Sequence, residues 1–216
     1  MNEPVDTCRQ EVIQRIQLAQ SEGGWEGTHT DFKKELDSNP HAYAKLLKHV
    51  LAFANTPRRT DAYIIFGVSE DRTLRQFEHT GVTDARFPTP ETIYNLLRSY
   101  TGITDVFVDS HFTPSGKLTP YLMIPLQYHG PNVLSRPVQG APDVIAPGEV
   151  VCRYGSSSIR ATERDTLRMK ADWDTWFLDC RYEKTAKTLI DTLAKQPRAL
   201  LRNPHGRRTV SGKYLQ

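Results

Sequence analysis

The chain has 216 residues, of which 38% are hydrophobic and 25% are charged, and its formal net charge is +3. This composition is too apolar for a disordered chain, and the length fits one domain, or one domain with an appendage. No apolar run is long enough to cross a bilayer, the acidic start lacks the features of a signal peptide, and the three cysteines are spaced too widely for a disulfide framework or a CxxC zinc site. We therefore expect a cytoplasmic protein that does not bind membranes.

The first half of the chain alternates between helical and extended patterns. Apolar residues recur at the helical period over residues 7–21 and again over 41–54, where Pro40 suits the first helical position. Residues 28–36 begin as an alternating, strand-like segment. Residues 62–68 are almost all apolar and predict a central strand buried on both faces, followed by a polar loop at 69–72.

The second half contains a helix that starts at Pro90, capped by Thr89, and then two segments, 105–112 and 120–127, that predict antiparallel strands. A proline-rich excursion follows, then a last strand at 150–154, and helices from Thr162 to about Lys195. This irregular interleaving predicts an α+β domain with a mixed, largely antiparallel sheet flanked by helices. We expect the domain to cover residues 1–165, with a helical extension over 166–196 and a basic tail over 197–216.

Positive charge is concentrated in that tail. It has five basic residues and no acidic residue, whereas acidic residues slightly outnumber basic ones in the remainder of the chain. A basic tail can bind an anionic polymer, because each phosphate that it neutralises releases counterions. Arg207 and Arg208 are our candidate contacts to nucleic acid in this segment, and a solvated, disordered end is the alternative.

Acidic residues in the first half are candidates for a catalytic site. Asp31 and Lys33 share one face of the strand-like segment, because side chains alternate with period two, so a metal ligand would lie beside a cation that steadies a phosphate. Glu26 falls on the opposite face unless Gly27 bends the chain. A solvated sheet face carrying a weak ion pair is the alternative.

Glu70 and Asp71 follow the buried strand at the point where it emerges, which is a common place for functional groups, although both residues are also frequent in plain turns. Carboxylates that hold Mg²⁺ or Mn²⁺ supply the charge stabilisation and the activated nucleophile that phosphodiester cleavage needs. The chain has no P-loop, G-x-S-x-G or H-E-x-x-H motif, which disfavours the enzymes that depend on them.

Basic residues in two loops are candidates for phosphate contacts. Arg153 and Arg160 flank a glycine and three serines, including Ser156, whose N–H and hydroxyl groups suit a phosphate. A loop after an edge strand is the alternative for this segment. Arg58 and Arg59 lie between a helix and a strand, where they could contact a nucleic-acid backbone.

Three other residues are assigned structural roles. Asn55 is expected to cap or tie the turn after its helix. Trp173 and Trp176 lie three apart on a helix and are expected to pack rather than to stack on bases.

Three segments, taken in order, resemble the Schlafen AlbA-type domain family, which includes bacterial Schlafen-like proteins. Residues 26–33 resemble the family pattern E-x-x-x-x-E-F-K, and residues 52–56 with 64–71 resemble A-F-A-N-T followed by I-G-V-D-D. Residues 151–158 with Ala161 resemble the family's strand, R-x-G-S and alanine. The resemblance covers roughly residues 20–165. It departs from the family pattern at Asp31, where a glutamate is usual, and in the segment 57–61, where the family has a Gly-Gly pair.

In the nuclease members of this family, two acidic residues of the first motif and one after the I-G-V strand hold a divalent metal and cut structured RNA, notably transfer RNA. The resemblance therefore implies a Schlafen-core-like lobe, with Mg²⁺ or Mn²⁺ as cofactor. It implies Glu26, Asp31 and either Glu70 or Asp71 as metal-binding and catalytic residues. Lys33, which strand alternation places beside Asp31, is the catalytic candidate that would steady the phosphate.

The leading hypothesis is a nucleic-acid-binding Schlafen-like protein that acts as a metal-dependent endoribonuclease on structured RNA such as transfer RNA. The alternatives are a non-catalytic regulatory module that binds DNA or RNA, with RNA favoured, and a protein-interaction module built on the C-terminal helices. The motif set occurs once, whereas the larger animal members of the family resemble two related lobes across a basic groove. We therefore also expect a homodimer.

Overall fold

The computed structural model describes residues 3–22, 26–71, 73, 76–83, 87–126, 130–175 and 187. In chain order these residues form α1 (Glu3–Glu22), β1 (Thr30–Lys33), α2 (Pro40–Asn55), β2 (Ala62–Phe66), β3 (Val68–Asp71), β4 (Gln76–His79), α3 (Pro90–Tyr100), β5 (Phe107–Phe112), β6 (Leu118–Ile124), β7 (Val151–Tyr154), β8 (Ser157–Arg160) and α4, which is described over residues 163–175.

The two helices predicted in the first half are confirmed as α1 and α2, and the start of α2 follows from local capping. Oδ1 of Asn39 accepts a hydrogen bond of 2.9 Å from the N–H of Ala42, and Pro40 occupies the first turn of α2, where a missing N–H leaves no partner unsatisfied. α3 begins at Pro90 in the same way, with Thr89 as its cap, as predicted.

Four strands form the main sheet in the order β1–β2–β6–β5. β1 runs parallel to β2, whereas β2 with β6 and β6 with β5 are antiparallel pairs. Every residue of β2 is buried, as its apolar run predicted. The fold is therefore α+β with a mixed, largely antiparallel sheet, which confirms the predicted class.

Different helices cover the two faces of this sheet. Ile64 and Phe66 of β2 pack in one core with α2, whereas Tyr63 and Ile65 pack in a second core with α1. Asp31 of β1 is paired in register with Ile64, so the side chain of Asp31 lies on the α2 face. Strand alternation thus decides which helix each polar residue of β1 meets.

The polar loop predicted at 69–72 is wrong, because residues 69–71 belong to β3, which pairs with β4 in an antiparallel hairpin. The chain turns at Gly67, whose φ is 84°, and a Cβ there would lie 2.7 Å from the Cα of Gly81, so only glycine fits. Beyond this turn Val68 and Phe77 are buried in the α1 core. The burial of each side chain contributes roughly 1.5–3 kcal/mol and stabilises the hairpin. The other residues of the two strands are mostly polar, so the sequence did not indicate strands here.

The strand predicted at 150–154 is confirmed as β7, but it is not the last strand, because β8 pairs with it around a tight turn. Gly155 begins this turn with a φ of 58°, in the left-handed region that favours glycine. The expectation of a loop over 155–160 therefore holds only for the turn itself. β8 was not predicted because it begins with two serines and lacks the alternation of apolar and polar residues that indicates a strand.

α4 begins where the sequence predicted a helix, and Thr162 caps it, since its Oγ1 accepts a hydrogen bond of 3.2 Å from the N–H of Asp165. Trp173 is buried against Cys152 and Met169, which confirms its packing role. Trp176 and the tail lie outside the described residues.

The chain divides into two compact units, Met1–Asp174 and Thr175–Gln216. The boundaries proposed from the sequence at 165 and 196 stay predictions. Within the described ranges, no helix combines the length and the apolar character that crossing a membrane requires.

Candidate nucleic-acid interface

The carboxylate of Asp31 is the centre of a buried polar cluster and is 1% exposed. Nζ of Lys33 lies 2.7 Å from its Oδ2, Nδ1 of His49 lies 3.6 Å from the same oxygen, and Nη1 of Arg153 lies 3.4 Å from its Oδ1. The Lys33 contact is between charges rather than a hydrogen bond, because Oδ2 has no partner at hydrogen-bonding geometry. The alternative of a solvated sheet face is therefore wrong for Asp31, whose charge depends on neighbouring cations.

Arg153 joins the three segments that carry the family resemblance. Its Nε and Nη2 donate to the carbonyl of Gly27, at 3.3 and 3.2 Å, and its backbone N–H donates to Oγ1 of Thr56 at 2.7 Å. Its Nη1 also donates to Oγ of Ser158, and its guanidinium lies 4.7 Å from the centre of the Phe53 ring. Arg153 is thus buried and fixed within the protein rather than presented to a phosphate on the surface.

Glu26 is held beside β1 by a turn. The N–H of Gly27 donates to the carbonyl of Thr30 at 3.0 Å, so the chain bends at Gly27. This bend places Oε1 of Glu26 where it accepts a hydrogen bond of 2.9 Å from the N–H of Phe32. Glu26 therefore satisfies a backbone donor on the outer edge of the sheet, which is a structural role in its own right.

The electrostatic surroundings of Glu26 are acidic. Burial raises the pKa of Glu26, and the carboxylates of Asp31 and Glu70 raise it further. The hydrogen bond from Phe32 and the charge of Lys33 lower the pKa but do not cancel these effects. The charges of Asp31 and Glu70 thus both act on Glu26.

Glu70 and Asp71 are exposed on β3 and point to opposite sides of that strand. Glu70 shares the side of Val68 and is the one whose charge raises the pKa of Glu26. Oδ1 of Asp71 accepts a hydrogen bond of 2.8 Å from the N–H of Thr73. Of the two alternatives that the sequence left open, Glu70 is therefore the better candidate for the third acidic residue, because its charge acts on Glu26.

The carboxylate oxygens of this cluster are the kind of ligand that Mg²⁺ and Mn²⁺ prefer. Their arrangement does not fit such an ion: in the part of the chain that the structure describes, no three His, Cys, Asp or Glu side chains surround a common point. Both oxygens of Asp31 face cations, and Oε1 of Glu26 is engaged by a backbone N–H. A divalent ion at Asp31 would have to displace the ammonium of Lys33.

His49 also belongs to the cluster, although no motif of the sequence includes it. Besides its contact with Asp31, its Nδ1 lies 3.2 Å from Oγ of Ser158. Burial lowers the pKa of His49 to about 4, against the raising effect of Asp31, so the ring is neutral near pH 7. A signal was present: His49 lies three residues after Leu46 and four before Phe53, which is a core-facing position of α2.

The neighbouring arginines Arg58 and Arg59 have different surroundings. Arg58 is buried and donates to the carbonyls of Phe53 (3.0 Å), Ile124 (2.6 Å) and Pro125 (2.9 Å), and burial lowers its pKa to about 10. Its role is therefore to tie the end of α2 to the end of β6. Arg59 is exposed and remains available to a ligand.

A cleft of about 330 Å³ opens beside the β7–β8 hairpin. Its lining includes Thr28, Thr56 and Arg153, one from each of the three resembling segments, with Arg168 of α4. The predicted phosphate contact Ser156 is exposed at the hairpin turn.

The remaining predicted contacts to nucleic acid are Arg160, Arg207 and Arg208. Arg160 is exposed, and its Nε lies 2.7 Å from Oε1 of Glu149. Arg207 and Arg208 fall outside the described residues.

A family model supports the resemblance. A search of curated proteins finds no match. Among solved structures, the chain is similar to the solution NMR structure of the N-terminal domain of a RecG-related protein from Nitrosomonas europaea, with 18% identity, a TM-score of 0.44, and coverage of 70% of this chain and 93% of that chain. The family model described as Schlafen, AlbA_2 matches residues 26–162, which include all three resembling segments. The chain belongs to the Schlafen AlbA_2 family.

Proposed function

We propose that this domain binds nucleic acid. The carrying observation is that three segments of the family match, far apart in the chain, meet at Arg153 and line one cleft beside an exposed hairpin. Membership of the Schlafen AlbA_2 family favours nucleic acid as the ligand. RNA is favoured over DNA, and a cytoplasmic location is part of the same proposal.

The charges around the cleft affect how the domain would bind. Arg168 lies 3.9 Å from Asp172, and Asp165 also lines the cleft, so positive and negative charges nearly balance there. The basic residues of the tail then supply most of the attraction to phosphates. Binding by this arrangement needs no metal ion.

Binding is tested by fluorescence anisotropy with labelled RNA and DNA, in a salt series and with a chelator. We expect an affinity that falls steeply with salt and persists in chelator. An absence of binding at low salt would contradict the proposal and favour the protein-interaction module.

Metal-dependent cleavage of structured RNA is a second candidate. The observation that favours it is that Oε1 of Glu26 is bonded to the N–H of Phe32, the residue after Asp31, and that the pKa of Glu26 is raised by burial and, further, by the charges of Asp31 and Glu70. Carboxylates that repel one another are stabilised by a cation. The arrangement described above does not fit Mg²⁺ or Mn²⁺, so cleavage would require Glu26, Asp31 and Glu70 to rearrange into a set that holds the ion. Lys33 would release Asp31 and contact the phosphate.

Cleavage is tested by incubating the protein with transfer RNA and Mn²⁺. The informative variant is Glu70→Gln, because this exposed side chain is not part of the core, and Asp71→Asn on the opposite side of the strand is its matched control. Loss of metal-dependent cleavage in Glu70→Gln alone supports the second candidate. An intact RNA in Mn²⁺, or equal cleavage by parent and Glu70→Gln, contradicts the assigned site.

A further inference from the structure

Two large apolar side chains that line the cleft are exposed. They are Tyr154 of β7 and Ile159 of β8, which are 80% and 39% exposed. In the described ranges the other exposed large apolar side chains are Phe112, at the end of β5, and Leu167 of α4, neither of which lines the cleft. Exposed apolar side chains that adjoin one another at a cleft indicate a binding surface, whereas single scattered ones do not.

The ring of Tyr154 stands on a rigid support. The preceding residue, Arg153, is fixed by its hydrogen bonds to Gly27 and Thr56, and the β7–β8 pairing fixes the backbone of Tyr154 itself, opposite Ser157. Because the backbone beneath the ring is fixed, only the two side-chain torsions of Tyr154 lose freedom when a flat partner stacks on it.

The chemistry of the cleft favours a base over a phosphate backbone. Tyr154 and Ile159 offer apolar surface, whereas Arg168 is balanced by Asp165 and Asp172. A duplex hides the faces of its bases and presents phosphates, which this balanced cleft attracts weakly. An unpaired base presents its π-face to a tyrosine, and its amino groups can donate to carboxylates.

We propose that Tyr154 is a stacking platform for an unpaired base, so that this cleft binds single-stranded nucleic acid, or unpaired positions of a folded RNA, in preference to a duplex. The inference rests on the proposed function, because it names the class of nucleic acid that the same surface binds. The occupant is a base rather than a second copy of the chain, because the cleft combines an aromatic ring with carboxylates and a cation.

The test measures anisotropy of a short fluorescein-labelled single-stranded RNA, its duplex form, and the same strand with internal abasic positions. The variants are Tyr154→Ala and Tyr154→Phe, with Phe112→Ala as the matched control for loss of an exposed aromatic ring. We expect the parent to favour the single strand over the duplex. Tyr154→Ala weakens binding of the single strand about 5- to 100-fold, whereas Tyr154→Phe and Phe112→Ala leave it unchanged.

Two further readouts separate stacking from charge. Abasic positions weaken binding to the parent but have little further effect on Tyr154→Ala. The slope of log affinity against log salt stays the same in Tyr154→Ala, because no phosphate contact is removed.

The outcomes distinguish this inference from the proposed function. If the parent binds no nucleic acid, both are overturned. If the parent binds but Tyr154→Ala binds equally well, or the duplex binds as tightly as the single strand, the inference is overturned and the proposed function stands. If light scattering shows that Tyr154→Ala turns a dimer into a monomer, the surface is an interface between two copies and the inference is overturned.

Discussion

The guanidinium of Arg153 and the carboxylate of Asp31 form a buried ion pair between residues 122 apart in the chain, with 3.4 Å between Nη1 and Oδ1. Both side chains are at most 2% exposed. Each charge has lost its hydration, so each depends on the other for compensation. This pair links β1 to β7 and makes the acidic cluster part of the framework of the domain.

Removal of Asp31 should therefore destabilise the protein. We expect Asp31→Ala to lower the free energy of unfolding by about 3–5 kcal/mol, because it leaves Arg153 as an uncompensated buried charge. Urea denaturation measures the change, with Asp37→Ala, which removes an exposed carboxylate, as the control. Equal stability of parent and Asp31→Ala would contradict the importance of the pair. Loss of activity in Asp31→Ala would for the same reason be weak evidence for catalysis.

The two adjacent arginines should respond differently to truncation. Arg58→Ala removes hydrogen bonds to three carbonyl groups, of which that of Phe53 still accepts from the N–H of Thr56. The variant should lower the free energy of unfolding by about 3 kcal/mol, since each buried acceptor left unsatisfied costs about 1–3 kcal/mol. Arg59→Ala should leave stability within about 0.5 kcal/mol of the parent, because its side chain is exposed. Thermal and urea unfolding of both variants tests this contrast, and equal effects would contradict it.

Acidification should destabilise the domain through His49. The pKa of His49 is about 4 in the folded protein against 6.5 ordinarily, so the unfolded chain binds more protons between these values and stability falls as pH drops from 6.5 to 4. The groups that face the ring are Asp31, Lys33, Arg153 and Lys48. The loss attributable to His49 is on the order of 3 kcal/mol at most.

The measurement is a series of urea titrations between these pH values for the parent and for His49→Gln. The variant should lose less stability on acidification than the parent does. His41→Gln, on an exposed position of the same helix, is the control and should follow the parent. Parallel curves for parent and His49→Gln would show that this ring does not govern the acid response.

The sequence predicted the elements whose signals are local. Apolar periodicity and Pro40 predicted α2, Thr89 and Pro90 predicted the start of α3, and an apolar run predicted β2. The hairpins β3–β4 and β7–β8 were missed, because their strands are polar and are stabilised by pairing partners and by burial on one side. Such tertiary stabilisation leaves little trace in local composition.

The candidate site was predictable only in part for a similar reason. Strand alternation placed Asp31 beside Lys33, and this contact is present. The burial of Asp31 depends on His49 and Arg153, which distant elements bring to it, so a solvated face was an equally reasonable expectation. Arg58 and Arg59 are neighbours in a loop, and a loop has no periodicity from which to predict which of the two is buried.

The basic tail should control the salt dependence of binding. Its five basic residues lie outside the described ranges, so the prediction rests on charge alone: neutral substitution should weaken binding to RNA or DNA without altering the stability of the domain. The substitutions, each to glutamine, are at Arg198, Arg202, Arg207, Arg208 and Lys213. The slope of log affinity against log salt should become shallower by roughly 0.7–0.9 for each phosphate that the tail no longer neutralises, in contrast to Tyr154→Ala, which should leave the slope unchanged. Anisotropy titrations across a salt series measure both quantities. If affinity and slope are those of the parent, the tail does not bind phosphates, and the charge that attracts nucleic acid has to come from exposed residues of the folded domain such as Arg59 and Arg168.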